Sequence, residues 1–333
     1  MRLGILVLLL LTLVSTANSQ KTDETLVIYS ERKPFLLEPL VKRYQAETGI
    51  KIQILTDQAS VLLERLAAEG NYTQADILMT VDAGSLVLAA KRGVFAPINS
   101  PKLLSSVPAN LRDPKNRWFG LSLRARTMLY NPSKIDPALI QNYADLAAPA
   151  LKGKLCLRSS KKVYNQSLIA MQLATLGEAK TEKMLRGWVT NLAAPPFADD
   201  TLLVNAVSAG QCAVAIVNTY YFGRVQKDNP KIAAKLLFAD QKGLGTHVNI
   251  SGAGVIAVSQ QKAQAQAFLE WLAGVEAQKL FAEANLEYPV NAKAALDPVV
   301  AAWGPFKSDQ RNIQIAGDRQ ADAVKLMDRA GWR

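Results

Sequence analysis

Between Leu26 and Thr80 the chain changes periodicity several times, and this alternation restricts the fold more than any other feature. Residues 26–30, 51–55 and 75–80 are short apolar runs of strand length. Between them Leu37, Leu40, Val41 and Tyr44 recur at helical spacing until Gly49, and residues 61–69 read as a second helix stopped by Gly70. Strands that alternate with helices predict an α/β fold with a parallel sheet and ligand sites at the carboxyl ends of the strands. Ser30-Glu31-Arg32 lies at such an end.

Residues 93–118 are richer in Pro, Ser and Asn and read as a surface excursion. Residues 118–130 read as two strand pieces around Arg124-Ala-Arg126, where the chain is expected to cross between two lobes. A second βα region follows: a strand at 154–159, helices at 165–176, 179–192 and 201–209, and a strand at 212–217. The Gly-rich stretch 243–258 is the expected return crossing. Helices are predicted near 262–273 and 276–284, and a last one from about Asp318.

The first 19 residues read as an export signal. Arg2 supplies the positive region, the run from Leu3 to Val14 is almost wholly apolar, and Ala17-Asn18-Ser19 offers small residues for cleavage before Gln20. The apolar run is too short for a membrane span, and no cysteine follows it to carry a lipid anchor. The expectation is a soluble exported protein, long enough for two domains. Its 39 basic and 28 acidic residues give a net charge of +11. The Lys and Arg residues are scattered and not interleaved with aromatics, which argues against nucleic acid as a partner and leaves a bias toward anionic ligands.

Cys156 and Cys212 both fall in strand-like segments, and an oxidising compartment lets them pair, so a disulfide is expected rather than two buried thiols. A zinc site would need further ligands, and the chain has a single histidine, His247. No phosphate loop, nucleophile elbow or His-Glu-x-x-His motif is present. Gly252-Ala-Gly-Val-Ile-Ala257 has the letters of a dinucleotide fingerprint but precedes a strand instead of following one.

Tyr220 and Tyr221 follow the apolar run 212–217, with Thr219 as a helix N-cap candidate. They therefore fall at a strand-to-helix junction, where α/β proteins place ligands. Two adjacent phenols suit a hard cation that prefers oxygen and can displace the phenolic proton.

Several segments together resemble the periplasmic ferric-ion-binding proteins, the substrate-binding components of iron ABC importers, sometimes called bacterial transferrins. They are Val27-Ile-Tyr-Ser-Glu-Arg32, Glu47-Thr-Gly-Ile50, Ala75-Asp-Ile77, Phe119-Gly-Leu-Ser-Leu-Arg-Ala-Arg126, Val163-Tyr-Asn-Gln-Ser167, Asn218-Thr-Tyr-Tyr221 and Glu287-Tyr-Pro-Val290. Asn-Thr-Tyr-Tyr is the most specific, and the resemblance spans essentially the whole chain after residue 19.

The resemblance implies a two-lobed periplasmic-binding-protein-like fold of type II, cluster two. The first lobe would hold residues 20–125 and 252–295, and the second 126–251 and 296–333. It implies a periplasmic, monomeric, non-enzymatic protein that carries Fe(III) to an inner-membrane ABC permease with its ATPase. Tyr164, Tyr220 and Tyr221 stand at the phenolate positions. Lys33-Pro34 replaces a His-Tyr pair found in some relatives, so no first-lobe side-chain ligand is expected from that segment. A small anion, carbonate by preference, would complete the shell, held by Arg32 and Arg124. Tyr29 is expected to pack, and Tyr288 to pack or to support the site from behind the ligands. Two other readings remain open: a binder of a small organic or phosphonate anion without iron, and an exported metallo-hydrolase.

Overall fold

The structure is a computed structural model that describes residues 25–333. The predicted export signal at 1–19 lies outside the described residues. The chain runs β1 (Thr25–Ser30), α1 (Pro34–Thr48), β2 (Lys51–Thr56), α2 (Ala59–Glu69), β3 (Ile77–Thr80), α3 (Ala83–Lys91), α4 (Pro101–Ser106) and β4 (Phe119–Tyr130). It continues through β5 (Leu155–Cys156), α5 (Val163–Leu176), α6 (Glu178–Thr190), α7 (Asp200–Ser208), β6 (Val214–Asn218), α8 (Thr219–Asp228), β7 (Lys235–Leu237) and β8 (Val248–Val255). It ends with α9 (Lys262–Leu272), α10 (Val275–Asn285), α11 (Pro298–Ala301), α12 (Gln314–Asp318) and α13 (Gln320–Arg329). No helix among the described residues is long and apolar enough to cross a membrane.

The glycine stop read from sequence falls where predicted at the end of α1, and the start was not read. Pro34 opens the helix, where its missing N–H costs nothing, and Gly49 closes it in the left-handed region at φ 75°. The strands line up as β2-β1-β3-β8-β4-β6-β5, with β7 also on β4. β1 pairs in parallel with β2 and β3, and β5 with β6, whereas β4 and β8 are antiparallel to their neighbours. Two short parallel wings are therefore joined through one antiparallel pair.

β4 is the joint. It is one continuous strand, not the two pieces expected. It pairs with β8 as far as Ala125↔Val248 and with β6 from Arg126↔Asn218. The charges at 124 and 126 did not break it because each guanidinium finds buried acceptors. Gly252 lets β8 run close to β4: a Cβ there would lie 2.5 Å from the Phe119 carbonyl oxygen. The dinucleotide-like letters thus serve strand packing.

Each wing has its own core. One cluster gathers Leu26, Ile28, Leu40, Leu62, Leu78, Phe119, Ile250, Phe268 and Phe281. The other gathers Met128, Leu155, Leu168, Leu185, Trp188, Val214, Leu326 and Trp332, and Trp188 meets Trp332 edge-on at 5.8 Å. Each such fully buried side chain contributes about 1.5–3 kcal/mol. Residues 93–118 do not lie wholly on the surface as read: Phe95, Ile98, Leu103, Val107, Leu111 and Trp118 are buried in the first cluster. Polar residues interspersed among these anchors masked them. Cys156 and Cys212 form a disulfide with Cα atoms 5.9 Å apart, beside β5 and β6.

Candidate functional site

The five cleft residues singled out in the sequence, Arg32, Arg124, Tyr164, Tyr220 and Tyr221, line one cavity of about 650 Å³. Glu31, Asp57, Arg158, Lys162, Arg224, Ser251 and Glu287 share its walls.

The tyrosines arrive from two helix starts. Tyr164 lies in the first turn of α5, which starts at Val163, two residues before the start predicted at 165; Tyr220 and Tyr221 lie in the first turn of α8. Thr219 is the first helical residue and Asn218 precedes the helix, one position earlier than the predicted cap. The Asn218 side chain is used elsewhere: its Nδ2 donates to the Tyr220 hydroxyl at 3.2 Å and its Oδ1 accepts from Arg126 at 3.0 Å. In the first turn of a helix, neighbouring side chains fan by about 100° instead of pointing to opposite faces as in a strand. Tyr220 and Tyr221 therefore stay close, with ring centroids 4.5 Å apart.

Tyr164 and Tyr220 are 7% and 6% exposed, and each phenol bears on the ionisation of the other. Burial, then the neighbouring phenols, push both well above the ordinary phenol value, although Arg124 pulls the other way. The Tyr164 and Tyr220 phenols thus share a buried place that favours their protonated forms.

Arg124 and Arg126 sit two apart on β4 and so on one face, yet their surroundings differ. Arg126 binds Asn165 Oδ1 at 2.9 and 2.7 Å, Asp200 Oδ2 at 2.9 Å and Asn218 Oδ1 at 3.0 Å. Arg124 donates to the Val81 carbonyl and, at 3.4 Å, to Ser251; its Nε finds no partner among the described residues. Its guanidinium lies 5.4 Å from the Tyr164 ring centre. Arg32 is more fully engaged: it pairs with Glu287 at 2.8 Å and donates to Ser122, Ser251 and Asn285. Burial alone would raise the Glu287 carboxyl, but Arg32, Arg124 and the Ser122 hydroxyl hold it below the usual carboxylate range.

Tyr29 packs, 3% exposed, with its hydroxyl donating to Glu69. Tyr288 also packs, against Trp303 and Phe306, at ring distances of 6.2 and 5.3 Å. His247 is buried beside the crossing with neither ring nitrogen bonded among the described residues, and burial holds it down to about 3. Asp199 caps α7, accepting from the Leu202 amide at 2.9 Å. Sequence reading missed Arg158, Lys162 and Arg224. Their cations lie 4.6–5.9 Å from the centres of the tyrosine rings, at 5.9 Å (Arg158 to Tyr221), 4.6 Å (Lys162 to Tyr164) and 4.9 Å (Arg224 to Tyr220). Only Arg224 had a local signal, one helical turn after Tyr220.

The sequence profile of the bacterial extracellular solute-binding proteins matches residues 39–308. The chain belongs to that family. It is 39% identical over 323 residues to iron uptake protein A1 of Synechocystis, covering 95% of this chain and 90% of that one. It is 30% identical to the Fe(3+)-binding periplasmic protein of Serratia marcescens, covering 95% and 93%. Among solved structures it resembles a Trichodesmium protein (IdiA, FutA) in complex with iron and citrate ligands. The TM-score is 0.89 and the identity 41%, over 93% of this chain and 100% of that one. The two-lobed α/β fold is the one these solute-binding relatives share.

Proposed function

We propose that this chain is a periplasmic carrier of ferric ion that hands its cargo to an ABC permease driven by an ATPase, and that it acts as a monomer without enzymatic turnover. The phenolates of Tyr164, Tyr220 and Tyr221 hold the ion. The relatives named for iron uptake and Fe(3+) binding support the cargo. The observation that carries the residue assignment is the convergence of three phenols from two helix starts in one cavity. Fe(III) is a hard cation that favours anionic oxygen, and its charge offsets the cost of deprotonating buried phenols. Among the described residues no cluster of His, Cys, Asp and Glu is arranged to hold a metal, so the phenols are the gathered donors.

Three phenolates leave an octahedral shell half filled. A small anion such as carbonate completes it, and Arg124, with an uncommitted Nε, is the better placed of the two proposed anion contacts. Arg32 lines the same seat while Glu287 competes for it. The proposed lobes, 20–125 with 252–295 and 126–251 with 296–333, supply the opposing walls, with the tyrosines all on the second. The cations around the rings also suit the alternative of an anion bound without iron.

Addition of ferric citrate to the metal-free protein separates the readings. A tyrosinate-to-iron charge-transfer band supports the carrier. Anion-dependent thermal stabilisation without a band would replace it with the anion binder, and coloured protein with phosphatase turnover would replace it with the hydrolase.

A further inference from the structure

One residue that no sequence motif marks touches both the tyrosines and the buried charges behind them. Arg158 follows β5, and its side chain is 11% exposed. Its Nη1 reaches Asp200 Oδ1 at 3.3 Å and the Tyr221 hydroxyl oxygen at 3.5 Å. Its guanidinium carbon lies 5.9 Å from both the Tyr164 and the Tyr221 ring centres.

Asp200 anchors it. That carboxylate is fully buried, and its other oxygen accepts from Arg126 and from the Asn218 amide, both at 2.9 Å. Arg126 in turn grips Asn165, next to Tyr164, and Asn218, two residues before Tyr220. Asn165 also donates to the Arg158 carbonyl at 3.1 Å. One buried carboxylate thus fixes the backbone and side-chain contacts beside the tyrosines. An arginine paired with a carboxylate often takes both its oxygens in a fork. Here Arg126 has the shorter hold on Asp200, and Arg158 is left with one long contact and donors facing the phenol rings.

We propose that Arg158 is a positioning residue of the tyrosine centre. Anchored on Asp200, it donates a hydrogen bond to the Tyr221 oxygen and keeps it when that oxygen is an iron ligand. The donor steadies the Tyr221 oxygen and lowers the energy of its filled orbitals, which tunes the iron–oxygen bond. This inference rests on the reading that the phenols bind ferric ion.

The test compares wild-type protein, Arg158→Gln and Arg158→Lys, each loaded with ferric ion. It reads the position of the charge-transfer band, the rate of iron loss to EDTA and the thermal unfolding midpoint. Arg158→Gln is expected to move the band to longer wavelength and to speed iron loss by about tenfold, the loss of one charge-assisted contact. Arg158→Lys keeps the charge but cannot span Asp200 and Tyr221 as a guanidinium does, so its band should lie between the two. Should Arg158→Gln not fold, Arg158→Lys carries the test alone. A band at the wild-type position in either folded variant overturns the role of Arg158 and leaves the carrier reading standing. Absence of any band in the wild type overturns both.

Discussion

The two walls of the cavity are built on opposite plans. On the first, charge is matched by charge: Arg32 and Glu287 are 3% and 5% exposed and pair at 2.8 Å, with Ser122, Ser251 and Asn285 around them. On the second, the Tyr220 phenol accepts from Asn218 at 3.2 Å, and Lys162 and Arg224 stand beside the rings at 4.6 and 4.9 Å. The Arg32–Glu287 pair of the first wall is already matched, whereas Arg124 beside it keeps an uncommitted Nε. On the proposed reading, the second wall would be completed by a cation that draws the protons off its phenols. The difference shows why gathering polar residues in a cleft is not enough to define a site: what matters is whether their capacity is already spent.

The contrast can be broken at Arg32 and Arg124. Arg32→Ala strands Glu287 in the interior, so it should cost about 3 kcal/mol or more of fold stability in denaturant unfolding. Arg124→Ala should leave the unfolding midpoint near wild type and weaken iron retention by about 1.5–3 kcal/mol in bicarbonate buffer. Equal stability of the two variants would remove the distinction between a spent and an open arginine. The Cys156–Cys212 disulfide closes a loop with a sequence separation of 56 and ties β5, which precedes Arg158, to the segment that enters β6 ahead of Tyr220. Its removal by Cys156→Ser with Cys212→Ser should cost about 4 kcal/mol. An unfolding curve that overlays the wild type would show that the wall holds without it.

A smaller effect follows from pH at the crossing. Burial holds His247 down to about 3 from 6.5, so below pH 6.5 the unfolded imidazole binds a proton that the folded one refuses. Its contribution is present above pH 6.5 and is lost as pH falls toward 3. His247→Gln should therefore recover about 2 kcal/mol relative to wild type between pH 7 and pH 5. Asp82 has the opposite sign. Burial raises it from 3.8 to about 6 despite Arg124 and the Ser167 hydroxyl, so its folded form binds the extra proton. Its contribution is present below pH 3.8 and is lost as pH rises through about 6. Asp82→Asn should remove a gain of about 1 kcal/mol on going from pH 7 to pH 5. Parallel pH profiles for wild type and both variants would contradict these assignments.

Much of this architecture was legible in residue patterns. Periodicity with glycine stops located β1, α1, β2 and α2 to within a few residues. α3 was missed because Ala83–Lys91 is apolar nearly all round, so no amphipathic stripe announces it. β4 was split because its two arginines look like a break until their partners are known. Those partners come from residues 165, 200 and 218 for Arg126, and from residues 81 and 251 for Arg124. The candidate site was legible where a chemical oddity is local, as in Tyr220–Tyr221. It was illegible where meaning is long-range: Arg158 is an ordinary surface-type residue until Asp200, 42 positions away, is placed beside it.

The most direct measurement is a ferric titration of wild type, Tyr164→Phe, Tyr220→Phe and Tyr221→Phe, followed by the tyrosinate-to-iron band and by competition with a chelator. Each substitution keeps the ring and removes the oxygen. Loss of outer contacts to a metal ligand already costs about 10–100-fold in affinity, so loss of a ligand itself should cost more than about a hundredfold. The account predicts that drop in each variant, a weakened or shifted band, and unfolding midpoints close to wild type. Three Phe variants with wild-type colour and affinity would contradict it and place the iron elsewhere.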